Sequence, residues 1–421
     1  MATWTQAFKG YLQPKIFLFF FLGLSCGIPY ALIGGTLSLW LTRKNFGLEE
    51  IGVLSFMLIP YSVKFVWAPF IDRFHLPILS RFLRQKKAWG FFFQLGLLLS
   101  LLGFTFTVHH ALHVTPALFI LGLLTSFFAA SQDIVVDALR IDTLEKEELG
   151  EGAGTYQFGY RIGMLCAGAG ITALAPVISW AYGYLILTTF IVLGMIALFF
   201  IREPQDNNEK QSYNEVVTKA IYSFVKTNHW VLILLFVVLY KMCNAVLGKM
   251  AGPFYLMNGF SEGQIALVSG IFGSWVTMAG IPIGGLLVMR FGLLKSLFGL
   301  GLIEVLTSVA FAVLAYLGNN LPVFFIVIAF DNIIGGMGTA VFVAYLSSLC
   351  VKEYSASQYA LLSALMMISS SVFAAFSGYL AARLGWINFF LMTGILMMPA
   401  LFILKRLIQY EKTQKNLSTV K

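Results

Sequence analysis

Two aspartates, Asp133 and Asp137, are the residues of this chain best suited to chemistry. They stand four positions apart in the stretch Ser-Gln-Asp-Ile-Val-Val-Asp-Ala (131–138), which ends an apolar segment that begins near Pro116. Four positions are about one helical turn, so both carboxylates project from the same face of a helix. A carboxylate inside a membrane helix is costly unless it faces a partner or a water-filled cavity, or takes up a proton. The pair therefore favours a transporter, with a substrate path or a proton relay, over a membrane anchor.

The composition indicates that these aspartates belong to a polytopic membrane protein. Of 421 residues, 59% are hydrophobic and 11% are charged, whereas a soluble domain carries roughly 25% charged residues. Apolar stretches long enough to cross about 30 Å of hydrocarbon predict twelve transmembrane helices, numbered here in chain order. Their approximate spans are 16–41, 50–71, 88–108, 116–139, 152–177, 182–201, 229–257, 262–289, 293–317, 321–350, 356–382 and 386–406.

The distribution of basic residues predicts the orientation of the chain. With both termini placed in the cytosol, the segments on that side hold twenty-one Lys and Arg residues and the opposite side holds three. Such a bias is the positive-inside rule, so the net charge of +9 needs no nucleic-acid partner. The outer residues are Arg43, Lys44 and Arg383, and four more basic residues fall inside spans, namely Lys64, Arg161, Lys241 and Lys249.

The twelve spans divide into two groups of six at a polar stretch. We expect an N-terminal half at 1–201, a cytosolic linker at 202–228, and a C-terminal half with a short tail at 229–421. Within the linker, apolar residues at helical spacing predict an amphipathic helix on the cytosolic surface, with a disordered linker as the alternative. The apolar face consists of Val216, Val217, Ala220, Ile221, Phe224 and Val225.

Three charged residues of the N-terminal half are predicted to lie at one depth in the membrane. At about 1.5 Å per residue, Lys64, Asp133 and Arg161 lie about 9 to 13 Å from the cytosolic ends of their helices. A charge cluster there could release Lys64 or Arg161 when an aspartate is protonated. It could equally be a static ion pair that fixes helix packing, since buried charges pair for both reasons.

The C-terminal half carries its own charges near the midplane. Lys241 lies about twelve residues into the seventh helix and Asp331 about ten residues into the tenth. The simplest interpretation is an ion pair, although the two side chains could also bind a polar substrate from opposite sides. We expect a structural role for Glu304 of the ninth helix. The glycines 335, 336 and 338 after Asp331 favour close helix packing over a bend at a gate.

Several stretches together resemble the bacterial muropeptide permeases, the AmpG family of the major facilitator superfamily. The most specific are S-Q-D-I-V-V-D-A-L-R-I-D-T-L (131–144) and G-Y-R-I-G-M-L (159–165). Others, in order, are G-I-P-Y-A-L (27–32), K-F-V-W-A-P-F-I-D-R (64–73), L-Y-K (239–241), G-G-M-G-T (335–339) and S-A-S-Q-Y-A-L-L-S-A-L (355–365). The resemblance covers nearly the whole chain.

The resemblance implies an all-α fold of two six-helix halves in which the first, fourth, seventh and tenth helices line a central cavity. It also implies proton-driven import of N-acetylglucosaminyl-anhydro-N-acetylmuramyl peptides from periplasm to cytosol. Asp72 and Arg73 then match, in degenerate form, the cytosolic gating motif of the superfamily. The chain departs from the family pattern at Asn244, where an Asp is common, and at Leu149, where an Arg is frequent. The first departure puts a proton role for position 244 in doubt.

The predicted function is that of a proton-coupled muropeptide permease of a bacterial inner membrane, used in peptidoglycan recycling. We expect a monomer that needs no cofactor or metal and that meets only its substrate, protons and lipids. Proton coupling is assigned to Asp133 and Asp137, with Lys64 and Arg161 as their charge cluster. Candidate substrate contacts are Tyr30, Trp67, Gln132, Gln157, Tyr160, Lys241, Asn244, Asp331, Asn332 and Gln358.

Other functions remain as alternatives. A carrier of another bulky anionic solute, such as acetyl-CoA, or of a drug or metabolite is the nearest, because eukaryotic acetyl-CoA transporters are related and fold does not fix substrate. A membrane enzyme is disfavoured because the sequence has no nucleophile–base set and no metal-ligand spacing. A signalling receptor is disfavoured because the polar ends and the linker are too short to fold alone.

Overall fold

The computed structural model describes residues 9–43, 54–109, 115–204 and 213–419, and the regular structure of these residues is entirely helical. The predicted all-α fold is therefore confirmed. Linker residues 205–212, the outer residue Lys44 and the terminal residue Lys421 lie outside the described residues. A helix over Tyr213–Val225, with Val216 and Ala220 buried, occupies the second part of the predicted linker.

The predicted spans all contain helix. The first six consist of Pro14–Ala31 continued to Arg43, Leu54–Leu58 continued in short pieces to Arg73, Gln85–His109, Thr115–Thr143, Leu149–Leu165 continued to Ile178, and Trp180–Phe200. The next four consist of Trp230–Tyr240 with Met242–Met257, Glu262–Ile265 continued to Phe291, Leu293–Leu317, and Leu321–Ser348. The last two share the helical run Ser355–Thr419.

Ten helical runs within the described residues are long and apolar enough to cross a membrane. One of them, Lys352–Thr413, contains two spans, because the backbone leaves the helical region at Gly385 (φ 70°, ψ 161°). A positive φ of this kind favours glycine, so Gly385 separates the eleventh helix from the twelfth. The second helix is not among the ten because it is divided into short pieces. The pattern agrees with twelve predicted spans.

Contacts group the described residues into two compact units. The N-terminal unit is the described part of Phe8–Ser223 together with Ser347–Ala364, and the C-terminal unit is Phe224–Leu346 together with the described part of Leu365–Lys421. Each unit has an apolar core. Phe104, Tyr184 and Leu187 belong to the core of the first unit. Phe254, Phe311, Phe324, Phe389 and Phe390 belong to the core of the second.

Two membrane helices are interrupted at a lysine. The second helix tightens into a 3₁₀ turn at Lys64–Val66. The seventh helix breaks between Tyr240 and Met242, where Lys241 has φ −89° and ψ −7°. Departures from regular α-helix inside a membrane helix often mark functional sites. The first, fifth and eighth helices each also contain a π-helical turn, at Leu32–Thr36, Cys166–Gly170 and Ala266–Phe272.

Glycines bring the first and fifth helices into backbone contact. A side chain at Gly27 would collide with the carbonyl oxygen of Tyr160, and one at Gly159 would collide with that of Phe20. Small residues at a membrane helix crossing permit such close approach. This contact explains the glycines of the 159–165 motif and fixes the position of Tyr160 beside the fourth helix.

Candidate functional site

The N-terminal unit contains a buried ion pair between the second and fourth helices. Lys64 Nζ lies 3.8 Å from Asp133 Oδ2, and the two residues are 6% and 7% exposed. The other carboxylate oxygen, Asp133 Oδ1, is buried and lacks a hydrogen bond in the described residues, and the thiol of Cys26 is a neighbour that interacts with this carboxyl group. The equal depths predicted from the sequence thus correspond to a real contact, and one oxygen of Asp133 remains available for a proton or water.

The second aspartate has a different partner. Arg140 Nη2 lies 2.9 Å from Asp137 Oδ1 in an i,i+3 pair, and Arg140 is fully buried. Its guanidinium stacks over Tyr156 and Tyr359 at 4.9 and 5.4 Å, and Nη2 donates to Ser347 Oγ at 3.2 Å. Sequence reasoning missed Arg140, because the charge count placed it in a cytosolic loop. The i,i+3 spacing after Asp137 was the available signal.

The predicted third member of the charge cluster lies apart from this pair. Arg161 of the fifth helix is half-buried, and no ion pair joins it to an acid among the described residues. Arg161 interacts electrostatically with its neighbour Tyr160. The cluster near Asp133 therefore contains one cation, Lys64, and the predicted release of Arg161 by protonation of Asp133 has no support in this geometry.

Aromatic side chains surround the Lys64–Asp133 pair. Tyr30 and Tyr61 meet edge to face with ring centroids 5.4 Å apart, and Trp67 Nε1 donates to Ser131 Oγ at 3.0 Å. Tyr61 and Tyr160 both lie within the electrostatic reach of Asp133. The predicted contacts Tyr30 and Tyr160 thus lie near Asp133, whereas Trp67 contacts the fourth helix at Ser131 and Phe127; all three are half-buried. Gln157, also half-buried, lies one turn before Tyr160 on the same helix.

Two predicted substrate contacts are instead occupied by the protein itself. Gln132 is fully buried, and its Nε2 donates to Ser25 Oγ at 2.7 Å. Gln358 is 3% exposed; its Nε2 donates to Ala220 O at 2.8 Å and its Oε1 accepts from the Val351 amide at 2.7 Å. Their hydrogen bonds hold helices and turns together, which argues against the predicted substrate contacts.

The C-terminal unit brings four polar residues together in a different arrangement from the predicted pair. Asn244 Nδ2 donates to Glu304 Oε1 at 2.9 Å, and Glu304 is 2% exposed. Lys241 acts electrostatically on Glu304, and its Nζ lies 5.2 Å from the Phe342 ring centroid. Asp331 interacts with Glu304 and with the Thr307 hydroxyl. The Lys241–Asp331 pair stays a prediction, and Glu304, expected to be structural, lies at the centre of the cluster.

Asn332 and the nearby glycines join the tenth helix to its neighbours. Asn332 Oδ1 accepts from Thr277 Oγ1 at 2.7 Å, which uses its carbonyl in helix packing. A side chain at Gly336 would collide with Thr277 O, whereas one at Gly338 would lie 3.4 Å from Glu304 Oε1 and one at Gly335 would meet open space. Gly336 thus serves close helix packing, whereas a small side chain would fit at Gly335 and at Gly338.

Asp72, predicted to be a gating residue, caps the eleventh helix. Its Oδ2 accepts from the Ser357 amide at 2.8 Å and from Ser357 Oγ at 2.6 Å, and its Oδ1 accepts from the Ala356 amide at 3.3 Å. A carboxylate at a helix N-terminus satisfies otherwise unpaired amides and opposes the positive end of the helix dipole.

Lys86 extends this network at the same end of the N-terminal unit. Its Nζ lies 3.6 Å from Asp72 Oδ1, contacts Asp142 Oδ2, and donates to Ser355 Oγ at 2.8 Å. The neighbouring Glu203 accepts from the Lys86 and Lys87 amides, each at 2.9 Å, and burial raises the pKa of its carboxyl despite these bonds. Arg73, the other predicted gating residue, instead lies over the Phe74 ring at 5.3 Å.

Comparison with known proteins places the chain in a family. The family model for the Major Facilitator Superfamily matches residues 16–257 and 238–420. The chain belongs to the major facilitator superfamily. The superfamily assignment made from the sequence is therefore confirmed, and with it the expectation of a transporter fold built from twelve membrane helices.

Relatives within the superfamily carry the AmpG name. The chain is 33% identical over 408 residues to a Rickettsia conorii protein named as the transporter AmpG 4. This alignment covers 95% of the present chain and 97% of that protein. The chain is 31% identical over 419 residues to the anhydromuropeptide permease of Escherichia coli K12. This alignment covers 98% of the present chain and 84% of the permease. The predicted resemblance to the AmpG family is thus confirmed.

Solved structures of more distant superfamily members share the fold. The Escherichia coli fucose:proton symporter FucP has a TM-score of 0.70 at 12% identity, covering 93% of this chain and 97% of that one. The proton:xylose symporter XylE has a TM-score of 0.68 at 14% identity, covering 94% and 96%. At these identities the likeness establishes the fold and nothing about the substrate.

Proposed function

We propose that this protein imports anhydro-muropeptides across a bacterial inner membrane together with protons. The substrate assignment is supported by the full-length similarity to a protein named anhydromuropeptide permease. The observation that carries the coupling is the buried Lys64–Asp133 pair, with one unpartnered carboxylate oxygen. The protein acts as a monomeric transporter, not as an enzyme, and the proton gradient takes the place of a cofactor.

The proposed coupling step moves a proton on and off Asp133. A proton from the periplasm binds Asp133 Oδ1, which removes the negative charge that Lys64 faces at 3.8 Å. Lys64 then loses the acid with which it forms its ion pair and keeps only the weaker influence of Asp137, so an acidic substrate group can bind beside it. Return of the proton to the cytosol restores the pair and weakens substrate binding. Proton and substrate are coupled because each changes the affinity for the other by the same factor.

The surrounding side chains suit a sugar-containing anion. Tyr30, Trp67 and Tyr160 each combine an apolar ring with a polar O–H or N–H group. The ring can pack against the apolar face of a sugar, and the polar group can hydrogen-bond to a sugar hydroxyl. Lys64 supplies the positive charge that the acidic peptide of a muropeptide requires. We propose that these four residues form the substrate contacts of the N-terminal unit.

Uptake into proteoliposomes tests the function directly. Purified protein is reconstituted, a proton gradient is imposed, and accumulation of labelled anhydro-muropeptide is measured with and without a protonophore. We expect gradient-dependent accumulation that unlabelled anhydro-muropeptide blocks and acetyl-CoA does not. Accumulation of labelled acetyl-CoA in place of the muropeptide would assign the protein to the other anionic carriers. Accumulation unaffected by the protonophore would remove the proton from the mechanism.

A further inference from the structure

Glu304 of the ninth helix is a buried carboxylate that the coupling step described above does not use. It is 2% exposed and lies near the middle of Leu293–Leu317. Its Oε1 accepts from Asn244 Nδ2 at 2.9 Å, whereas Oε2 is buried and has no hydrogen-bond partner among the described residues. A carboxylate that only fixed helix packing would gain by bonding both oxygens, since an unsatisfied buried acceptor is costly.

The groups that face Glu304 come from the seventh, ninth and tenth helices. Lys241, Tyr240 and Cys243 of the seventh helix and Asp331 of the tenth interact with it electrostatically. The Tyr240 hydroxyl is directed elsewhere, to Leu297 O at 3.2 Å. On the ninth helix, Thr307 Oγ1 donates to the Glu304 carbonyl at 2.8 Å. Glu304 therefore stands between one cation, Lys241, and one second acid, Asp331.

The backbone around this cluster is also adapted to it. The seventh helix breaks at Lys241, as the second helix does at Lys64. A side chain at Gly338 of the tenth helix would contact Glu304 Oε1 at 3.4 Å, so the tenth helix passes close to this carboxylate. Each unit thus contains, among its described residues, a lysine at a helix interruption that interacts with a buried acid: Lys64 with Asp133, and Lys241 with Glu304.

We propose that Glu304 is a second proton-carrying carboxylate and that Oε2 is the atom that takes the proton. One proton binds Oε2 and the same proton later leaves it, so charge and atoms balance without another reactant. Asn244 holds Oε1 in both states, and protonation removes the charge that Lys241 faces. Two neighbouring acids, Glu304 and Asp331, disfavour double ionisation, which helps one of them to hold a proton. This inference rests on the proposed proton-coupled import.

The first arm of the test measures protonation without any substrate. Infrared difference spectra of detergent-purified protein are recorded over roughly pH 5 to 9 for wild type, Glu304→Gln, and the control Glu262→Gln, an exposed carboxylate of the same unit. We expect a protonated-carboxyl band that Glu304→Gln abolishes and Glu262→Gln keeps. Asn244→Ala, which leaves Glu304 in place, should shift that band and so provides a second readout if Glu304→Gln does not fold. A protonated-carboxyl band that is unchanged in Glu304→Gln and in Asn244→Ala would overturn the proposal.

The second arm measures transport in proteoliposomes. In the Glu304→Gln variant, the rate at which labelled anhydro-muropeptide exchanges for unlabelled should stay within about twofold of wild type. Gradient-driven accumulation should fall by about tenfold or more, because the variant carries one proton fewer and that charge no longer draws on the membrane potential. Accumulation with unchanged pH dependence would overturn the proposal. If wild type transports no muropeptide, the proposed function fails, and the infrared arm still decides whether Glu304 binds a proton.

Discussion

Lys64 Nζ and Asp133 Oδ2 lie 3.8 Å apart, too far for a normal hydrogen bond but close enough for a salt bridge. Both residues are almost entirely buried, so their attraction acts at low dielectric. The same turn of the fourth helix carries Asp137, which is bound by Arg140 at 2.9 Å. The two aspartates that look equivalent in the sequence therefore differ in their partners: Asp133 is paired with a lysine at 3.8 Å, and Asp137 is held at 2.9 Å by a buried guanidinium.

We expect Asp133→Asn to lose coupling more than stability. Asparagine keeps the shape of the side chain but cannot ionise, so Lys64 is freed permanently and proton binding no longer controls it. Gradient-driven uptake of anhydro-muropeptide should fall by about tenfold or more, with expression near wild type. If the variant accumulates substrate with unchanged dependence on external pH, Asp133 does not carry the proton.

Asp137→Asn should behave in the opposite way. The substitution strands the buried charge of Arg140, and loss of one partner of a buried ion pair costs roughly 3–5 kcal/mol. Asp133→Asn also strands a buried cation, but a lysine can lose its proton whereas a guanidinium cannot. The thermal midpoint of the purified protein in detergent should therefore fall further in Asp137→Asn than in Asp133→Asn. Equal midpoints in the two variants, together with loss of coupling in Asp137→Asn alone, would exchange the roles of the two aspartates.

A pair of double-mutant cycles identifies the partner of Lys241. One cycle combines Lys241→Met with Glu304→Gln and the other combines it with Asp331→Leu, with thermal stability in detergent as the measurement. Neutralising both members of an interacting pair should restore part of the loss caused by Lys241→Met, with coupling of about 0.5–3 kcal/mol. We expect coupling to Glu304, which the structure places under the influence of Lys241. Coupling only to Asp331 would restore the pair predicted from the sequence.

Asp72→Asn should weaken the attachment of the eleventh helix. The variant keeps an acceptor oxygen for Ser357 but removes the negative charge that faces the helix N-terminus and Lys86. The expected loss is about 1–3 kcal/mol, because bonds to a charged acceptor are worth more than neutral ones. Ser357→Ala is the matched control and removes only the 2.6 Å hydroxyl bond. A smaller effect in Asp72→Asn than in Ser357→Ala would show that the charge adds nothing.

The orientation of the chain is tested with reporter fusions at Lys421 and His110, which lie outside the described residues. The charge bias of the sequence predicts the first in the cytosol and the second in the periplasm. A periplasmic signal from Lys421 would invert the topology, and with it the direction in which Asp133 receives its proton.

Local sequence signals predicted part of the candidate site. Equal depth along neighbouring helices predicted the Lys64–Asp133 contact, because helical rise is constant, but it also grouped Arg161 with them, since depth does not tell which way a side chain points. The same count failed for Arg140, since a basic residue near the predicted end of a span looks like a loop residue until tertiary packing buries it. Contacts between residues far apart in the chain, such as Asp72 with Ser357 or Asn244 with Glu304, depend on which helices become neighbours. Periodicity within one helix carries no information about that choice.

The π-helical turns of the first, fifth and eighth helices have a consequence for comparing this chain with its relatives. Each such turn holds one residue more than a regular helix needs, and one residue corresponds to about 100° of rotation. A relative that lacks the turn presents a face rotated by about 100° beyond it, so an ungapped alignment would match positions that face different neighbours. In the fifth helix this rotation applies to every residue after Gly170, while Tyr156, Gln157 and Tyr160, which precede the turn, keep their correspondence.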